Sequence, residues 1–303
     1  MSDSYFIDSE NDKVLSYYHS KEAKSINDLL LSELDGRAGV IDFIQKHANV
    51  CLDTTYVTST SEKFNIQKLE SVQYASILNL KQINDIRFIN KFFEAVNTVL
   101  PSSGLYFGKV ITYPNRRKAI FNKYPPIINR IVYLTDYIFT RVLPKLKLTK
   151  KFYFYLTKGK GRVISRAETY GRLYACGFEI IDDTTIKNSL YFVAKKIKDP
   201  SYDKDPSYGP LIKLKRIGKN GKNIRVFKFR TMHPFSEYLQ EFVYKKNKLQ
   251  KGGKIKNDFR VSPEGKILRK FWIDELPMLL NIFRGDIKLV GVRPLSAHFF
   301  SLY

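Results

Sequence analysis

The stretch YASILNLKQINDIRFINKFFEAVNTVLPSSGLYFGKVITY, residues 74–113, decides the fold class of the front half. YASILNL (74–80) is a short apolar run of strand length. In residues 82–100, Ile86, Ile89, Phe93, Val96 and Leu100 recur at spacings of three and four, the signature of an amphipathic helix. Pro101-Ser-Ser-Gly104 stops that helix, and LYFGKVITY (105–113) reads as a second strand. Strand, helix, turn and strand make one crossover unit of a parallel sheet. Working outward, AGVIDFIQKHANV (38–50) reads as a helix, CLDTTYVTST (51–60) as extended chain and Ile26–Leu34 as a short helix. YGRLYACGFEIIDD (170–183) reads as a helix ending at Gly177 and then a strand, and NSLYFVAKKI (188–197) pairs with it as a closing hairpin.

The chain has 303 residues, room for two domains, and 44% of them are apolar, enough for real cores. Cys51 and Cys176 are the two cysteines, which excludes a disulfide framework and a cysteine zinc site. No uncharged run reaches the roughly 18 residues that a spanning helix needs. The start, MSDSYFIDSENDK, is too acidic and polar for a secretory signal. The net charge of +23 is uneven: residues 1–110 carry −3, residues 111–200 carry +13 and residues 201–303 carry +13. A basic surface of this kind attracts phosphates, whether of nucleic acid, anionic membrane or phosphorylated substrate, and it also fits a merely solvated face. Zinc-finger spacing and an aromatic RNP1 pattern are both absent, so no nucleic-acid partner is expected. Aromatic and basic residues do interleave in KKFYFYLTKGKGR (150–162), which reads as an ordinary strand or a buried helix.

Two segments leave the sequence open or divide it. YPPIINRIVYLTDYIFTRVLPKLKL (124–148) starts on Pro125-Pro126 and carries Ile127, Ile131, Leu134, Ile138 and Val142 on one stripe until Pro144 ends it. The stripe suits a core-facing helix, or an in-plane membrane helix whose trailing Lys145, Lys147, Lys150 and Lys151 meet headgroups. KDPSYDKDPSY (198–208) has little to bury and is read as a linker. It divides residues 1–197 from residues 209–303.

After the linker, GPLIKLKRIGKNGKNIRVFKFRTM (209–232) reads as a hairpin whose Lys219-Asn220-Gly221-Lys222 is a type I′ signal. EYLQEFVYKKNKL (237–249) reads as partly helical. In GKILRKFWIDELPMLLNIFRGDIKLVGVRP (265–294), Leu276, Leu279, Leu280 and Phe283 have helical spacing, which places Asp274 and Glu275 at a helix N-terminus. Capping explains such acids by itself. An ionised pair beside Arg269, Lys270, Arg284, Lys288 and Arg293 is also suited to attack an electrophilic phosphorus and to hold a divalent cation against phosphate oxygens.

These blocks, in this order over residues 209–303, resemble the bacterial sugar transferase family, the monotopic polyprenyl-phosphate phosphoglycosyl transferases. The resemblance implies transfer of a sugar phosphate from a nucleotide sugar, a UDP-sugar, to polyprenyl phosphate at the cytoplasmic face of a bacterial inner membrane. That reaction initiates capsule, exopolysaccharide or glycan assembly. By the resemblance Asp274 is the nucleophile that takes the phosphosugar and expels UMP, and Glu275 is the acid that binds Mg²⁺. Arg293 contacts nucleotide or phosphate, and Arg269, Arg230 and Lys228 are further phosphate-binding positions. The chain departs from the family in four places. The apolar re-entrant helix before the GP block is missing. Residues 292–294 read Val-Arg-Pro for Pro-Arg-Pro, and KFWIDELPM replaces RTSLDELPQ. The chain stops at HFFSLY where the family runs on, so a truncated domain is expected. The alternative reading is a non-catalytic assembly or docking partner. Residues 74–197 loosely resemble the second half of a class I methyltransferase, without its glycine-rich cofactor loop, since Gly36 and Gly39 do not make GxGxxG. The expected fold is therefore α/β: a Rossmann-like partial sheet, then a mixed α+β transferase domain.

Overall fold

The computed structural model describes residues 38–48, 54–202, 208–246, 258–292 and 294–295. Two compact units emerge. The first comprises residues up to Arg130 together with Gly159–Val163 and Cys176–Ser201; the second comprises Ile131–Lys158, Ile164–Ala175 and the chain from Tyr202 onward.

The first unit is a five-stranded mixed sheet in the order β1-β2-β3-β5-β4. Strands β1 (Thr55–Thr58), β2 (Ser76–Gln82) and β3 (Leu105–Val110) run parallel. The hairpin of β4 (Phe178–Ile186) and β5 (Ser189–Lys196) closes the sheet, with β5 antiparallel to β3. Side chains alternate across a strand, so the sheet buries two faces. On one face Tyr106 meets Phe93, Phe178 and Phe192 at ring-centroid distances of 5.8 to 6.2 Å. On the other, Phe107, Tyr191 and Val193 pack with Leu78 and Leu80 against Val40, Phe43 and Ile44 of α1 (Ala38–Gln45). A short helix α2 (Lys63–Gln67) buries Ile66.

The predicted crossover is present. All five residues of its stripe (Ile86, Ile89, Phe93, Val96 and Leu100) are buried, and the helix proper, α3, spans Ile89–Val99. It starts later than the periodicity implies because Ile83–Asp85 form a 3₁₀ turn whose polar side chains capture other segments. The Asn84 amide donates to the carbonyls of Ile111 (2.8 Å) and Arg162 (2.7 Å) and accepts from the Ile111 N–H (2.7 Å). Gly177, at φ +83°, occupies a left-handed turn that a Cβ would drive into the Lys198 carbonyl, which is why the sequence breaks there between helix and strand. The short helix expected at 26–34 lies outside the described residues.

The second unit departs from the expected boundaries. The linker 198–208 does not separate two consecutive domains, because residues 131–158 and 164–175 pack with the C-terminal segment. The reason is apolar burial. Helix α7 (Arg166–Ala175) is buried almost along its whole length, with Tyr170 edge-on to Phe242 and Phe259. Gly171 lies so close to the Phe235 carbonyl that no side chain fits between them. The charges on α7 are answered locally: Arg172 pairs with Glu168 at 2.8 Å, and Lys145 reaches Glu168 at 3.4 Å.

Helix α4 (Tyr113–Lys123) precedes α5 (Ile128–Tyr137), which runs into a π-helical turn at Ile138–Val142 and a 3₁₀ turn at Leu143–Lys145 around Pro144. Ile127, Ile131, Leu134 and Ile138 are exposed, so the stripe does not face a core. Residues 147–157 form α6, which is neither a strand nor a buried helix, because Leu148, Phe152, Tyr155 and Leu156 face solvent while Tyr153 is buried.

Candidate active site

The site is built on a hairpin and two short helical segments of the second unit. Strands β6 (Leu211–Ile217) and β7 (Asn223–Phe229) pair antiparallel, as their alternation and the Asn-Gly turn predict. Asn220 and Gly221 both adopt positive φ (58° and 73°), and the Lys222 N–H closes the turn on the Lys219 carbonyl at 3.3 Å. The segment 236–246 is a 3₁₀ turn (Ser236–Leu239) followed by α8 (Gln240–Lys246). Helix α9 (Pro263–Lys270) has Ser262 as N-cap, its Oγ accepting from the Gly265 N–H at 3.0 Å, with Pro263 in the first turn. Gly265 lets α9 lie directly against the Thr231 carbonyl after β7, a space any Cβ would fill.

At Trp272 the backbone turns left-handed (φ 58°), a conformation unusual for so large a residue. This reverses the chain out of α9 and starts a 3₁₀ turn, Ile273–Met278, whose first turn carries Asp274 and Glu275. The sequence places the pair at a helix start correctly. The helix is 3₁₀ rather than α because Pro277 has no N–H for an i to i−4 bond, and the α-helix α10 (Leu279–Phe283) begins only after it. The apolar side chains of this segment point outward: Trp272, Leu276, Leu279, Leu280 and Phe283 are exposed beside the acids.

Glu275 and Lys228 of β7 form an ion pair, and Asp274 sits half-buried next to it. Their register is fixed by Asn281, whose side chain is fully buried. Asn281 accepts from the Phe227 N–H (2.9 Å) and donates to the Arg225 carbonyl (2.7 Å) and to Asp286 (2.9 Å). This clamp was not singled out from sequence. Its signal is a lone amide inside the apolar run LLNIF. Asp286, after the left-handed Gly285, buttresses the clamp.

The basic positions divide. Arg269 donates from Nε to the Thr231 hydroxyl at 2.9 Å, on the helix that leads into the acid pair. Arg230 donates to the Gly209 carbonyl at 3.0 Å. Burial lowers its pKa against the opposing pull of Glu237 and Glu168. The structure thus pairs Lys228 with Glu275, the sequence neighbour of Asp274, and ties Arg230 to the Gly209 carbonyl. Arg293 lies outside the described residues.

A second cluster in the same unit joins Arg141, His233, Glu264 and Tyr137. Arg141 reaches Nδ1 of His233 at 3.4 Å and Glu264 at 3.2 Å, and the Tyr137 hydroxyl donates to Glu264 at 2.9 Å. Burial, then the charges of Arg141 and Lys145, push the His233 pKa down to about 3, with Glu168 and Glu264 opposing. An unfolded His titrates near 6.5, so the unfolded chain binds the extra proton between these values. The stability is present above about pH 6.5 and is lost as pH falls toward 3, with a limiting slope of about 1.4 kcal/mol per pH unit. Resistance of the wild type to urea should fall steeply from pH 6 to pH 4, and His233→Gln should flatten that dependence; equal slopes in the two proteins would refute the role given to His233.

Among the described residues no group of three His, Cys, Asp or Glu side chains could hold a metal ion, and no helix is long and apolar enough to cross a membrane. Glu275 offers a hard carboxylate oxygen of the kind Mg²⁺ takes from protein when substrate phosphates and water complete its shell, so its chemistry fits that ion, and here the carboxylate is paired with Lys228.

Comparison with known proteins bears on the same region. The profile of the bacterial sugar transferase family matches residues 203–303. The exopolysaccharide production protein ExoY of Rhizobium meliloti is 42% identical over 96 residues, which cover 29% of this chain and 42% of that protein. An undecaprenyl-phosphate galactose phosphotransferase of Salmonella typhimurium is 40% identical over 85 residues, 26% of this chain and 18% of that one. The chain therefore spans less than half the length of these relatives. Among solved structures, an O-methyltransferase family protein from Burkholderia thailandensis aligns with a TM-score of 0.25 and 9% identity, over 45% of this chain and 33% of that one. Residues 203–303 are thus the part of this chain that is similar to the bacterial sugar transferase family.

Proposed function

We propose that this chain transfers a sugar phosphate from a UDP-linked nucleotide sugar to polyprenyl phosphate, and so initiates assembly of an exopolysaccharide, capsule or related glycan at the cytoplasmic face of a bacterial inner membrane. The observation that carries the reading is the pairing of Glu275 with Lys228 beside Asp274, on a turn rimmed by exposed apolar side chains. Carboxylates and cations suit a diphosphate. Trp272, Leu276 and Leu279 suit the isoprenoid of an amphiphilic acceptor.

A carboxylate oxygen of Asp274 attacks the phosphorus that bears the sugar. The bond from that phosphorus to the bridging oxygen breaks, and UMP leaves with the electron pair. An oxygen of polyprenyl phosphate then attacks the same phosphorus and returns the carboxylate. Lys228 fixes the Glu275 carboxylate, while Arg269 and Arg293 supply positive charge toward the phosphates and Arg230 stays tied to the Gly209 carbonyl. Glu275 would hold Mg²⁺, which when bound neutralises charge on the diphosphate oxygens. The first unit has a mixed sheet of three parallel strands closed by a hairpin, and this strand order supports a Rossmann-like scaffold role.

The test is UMP release from a panel of UDP-sugars with polyprenyl phosphate and Mg²⁺. Release from one sugar, lost when EDTA removes the metal and restored when Mg²⁺ is returned, is the expected result. No release from any sugar would favour a non-catalytic docking partner.

A further inference from the structure

Helix α6 (Lys147–Thr157) lies outside the segment that matches the transferase family. Its periodicity is amphipathic, yet the apolar stripe faces outward. Leu148 is 95% exposed and Tyr155 80%, with Phe152 and Leu156 completing one line at spacings of three and four. Its opposite side is anchored: Tyr153 is buried and packs edge-on against Phe139. The stripe therefore cannot turn inward without undoing the fold. Lys151 on the helix and Lys158 at its left-handed C-cap are both exposed. A second outward line, Ile131, Leu134 and Ile138, runs along α5 and its continuation in the same unit.

We infer that the outward stripe of α6, together with the exposed Lys151 and the C-cap Lys158, is a docking surface for an anionic phospholipid bilayer, on which the helix lies in the headgroup plane. Three features argue for this occupant. Apolar and tyrosyl side chains outward on a helix that carries exposed lysines are what an interface rewards, since the rings and alkyl groups enter the acyl boundary while the ammonium groups stay at phosphate level. The lysines select a negative surface. Residues 111–200, in which α6 lies, carry +13 of the chain's charge. Why the chain would need such a surface rests on the reading of a polyprenyl acceptor; the binding itself does not.

The experiment is flotation of the full chain with vesicles of phosphatidylcholine alone and of phosphatidylcholine mixed with phosphatidylglycerol, without substrates. The wild type should float with the mixed vesicles and less with the neutral ones. L148S/F152S, which removes little folded packing, should lower the partition by about tenfold or more per side chain, with an unchanged circular dichroism spectrum. K151Q/K158Q should erase about fivefold per lysine of the preference for the anionic vesicles. Flotation of L148S/F152S equal to wild type, or failure of the wild type to float with either vesicle, would overturn the inference. So would a dimer in sedimentation velocity that L148S/F152S dissociates while flotation stays unmoved, since a second copy would then be the occupant. A single burst of UMP from donor alone reads the chemistry separately. Loss of that burst with intact flotation would sink the transferase reading and leave the surface standing.

Discussion

Asp274→Asn is expected to lower UMP release by about 10³-fold or more, some 4 kcal/mol of transition-state stabilisation, while leaving stability within about 1 kcal/mol of wild type. The amide is isosteric with the carboxylate, and the N-cap of the 3₁₀ turn is Trp272, which makes no side-chain capping bond, so the turn does not depend on the Asp274 charge. What it loses is the nucleophilic oxygen. With donor alone the wild type should gain the mass of one phosphosugar, and that adduct should disappear when polyprenyl phosphate is added. The Asp274→Asn protein should show neither. A variant that still releases UMP at the wild-type rate would remove Asp274 from the chemistry.

Asn281→Leu is the second large expectation. The substitution keeps volume and burial but leaves the Phe227 N–H and the Arg225 carbonyl without the side chain that meets them. Two buried backbone groups losing a partner cost about 3 kcal/mol together, a drop of roughly 5–10 °C in the melting of a unit of this size. Asn281→Asp should be nearly as harmful, since it keeps an acceptor for Phe227 but turns a carboxylate toward the Arg225 carbonyl and Asp286. Activity should fall in both variants at temperatures where they remain folded, because the clamp sets where β7 presents Lys228 to Glu275. Thermal unfolding and UMP release measured side by side check this. A stable Asn281→Leu protein would show that the hairpin holds its register without the clamp.

Much of the fold was legible because the relevant signals are local. The 86–100 stripe, the Pro-Ser-Ser-Gly stop, the Asn-Gly turn and the break at Gly177 depend on periodicity and backbone sterics within a few residues, and each stands where the sequence puts it. The site was legible to the same depth. An acid pair before Leu-Pro must sit at a helix start, though Pro277 made that helix 3₁₀. The partners of the acids were less legible. Arg230 and Lys228 look alike in sequence and are two residues apart, yet one reaches Gly209 and the other pairs with Glu275.

By itself, then, the sequence determined the strands, the main helices and the place of Asp274 and Glu275 at the start of a helical turn, because these follow from short-range patterning. Tertiary structure alone decided which apolar stripes are cores. The α3 stripe is buried by the sheet, whereas the equally periodic stripes at 131–138 and 148–156 face outward, because burial depends on what packs opposite a face and not on its spacing. It also decided that residues 131–158 and 164–175 fold with the C-terminal segment, since α7 finds its aromatic partners at Phe242 and Phe259 across a long sequence separation that no local pattern encodes.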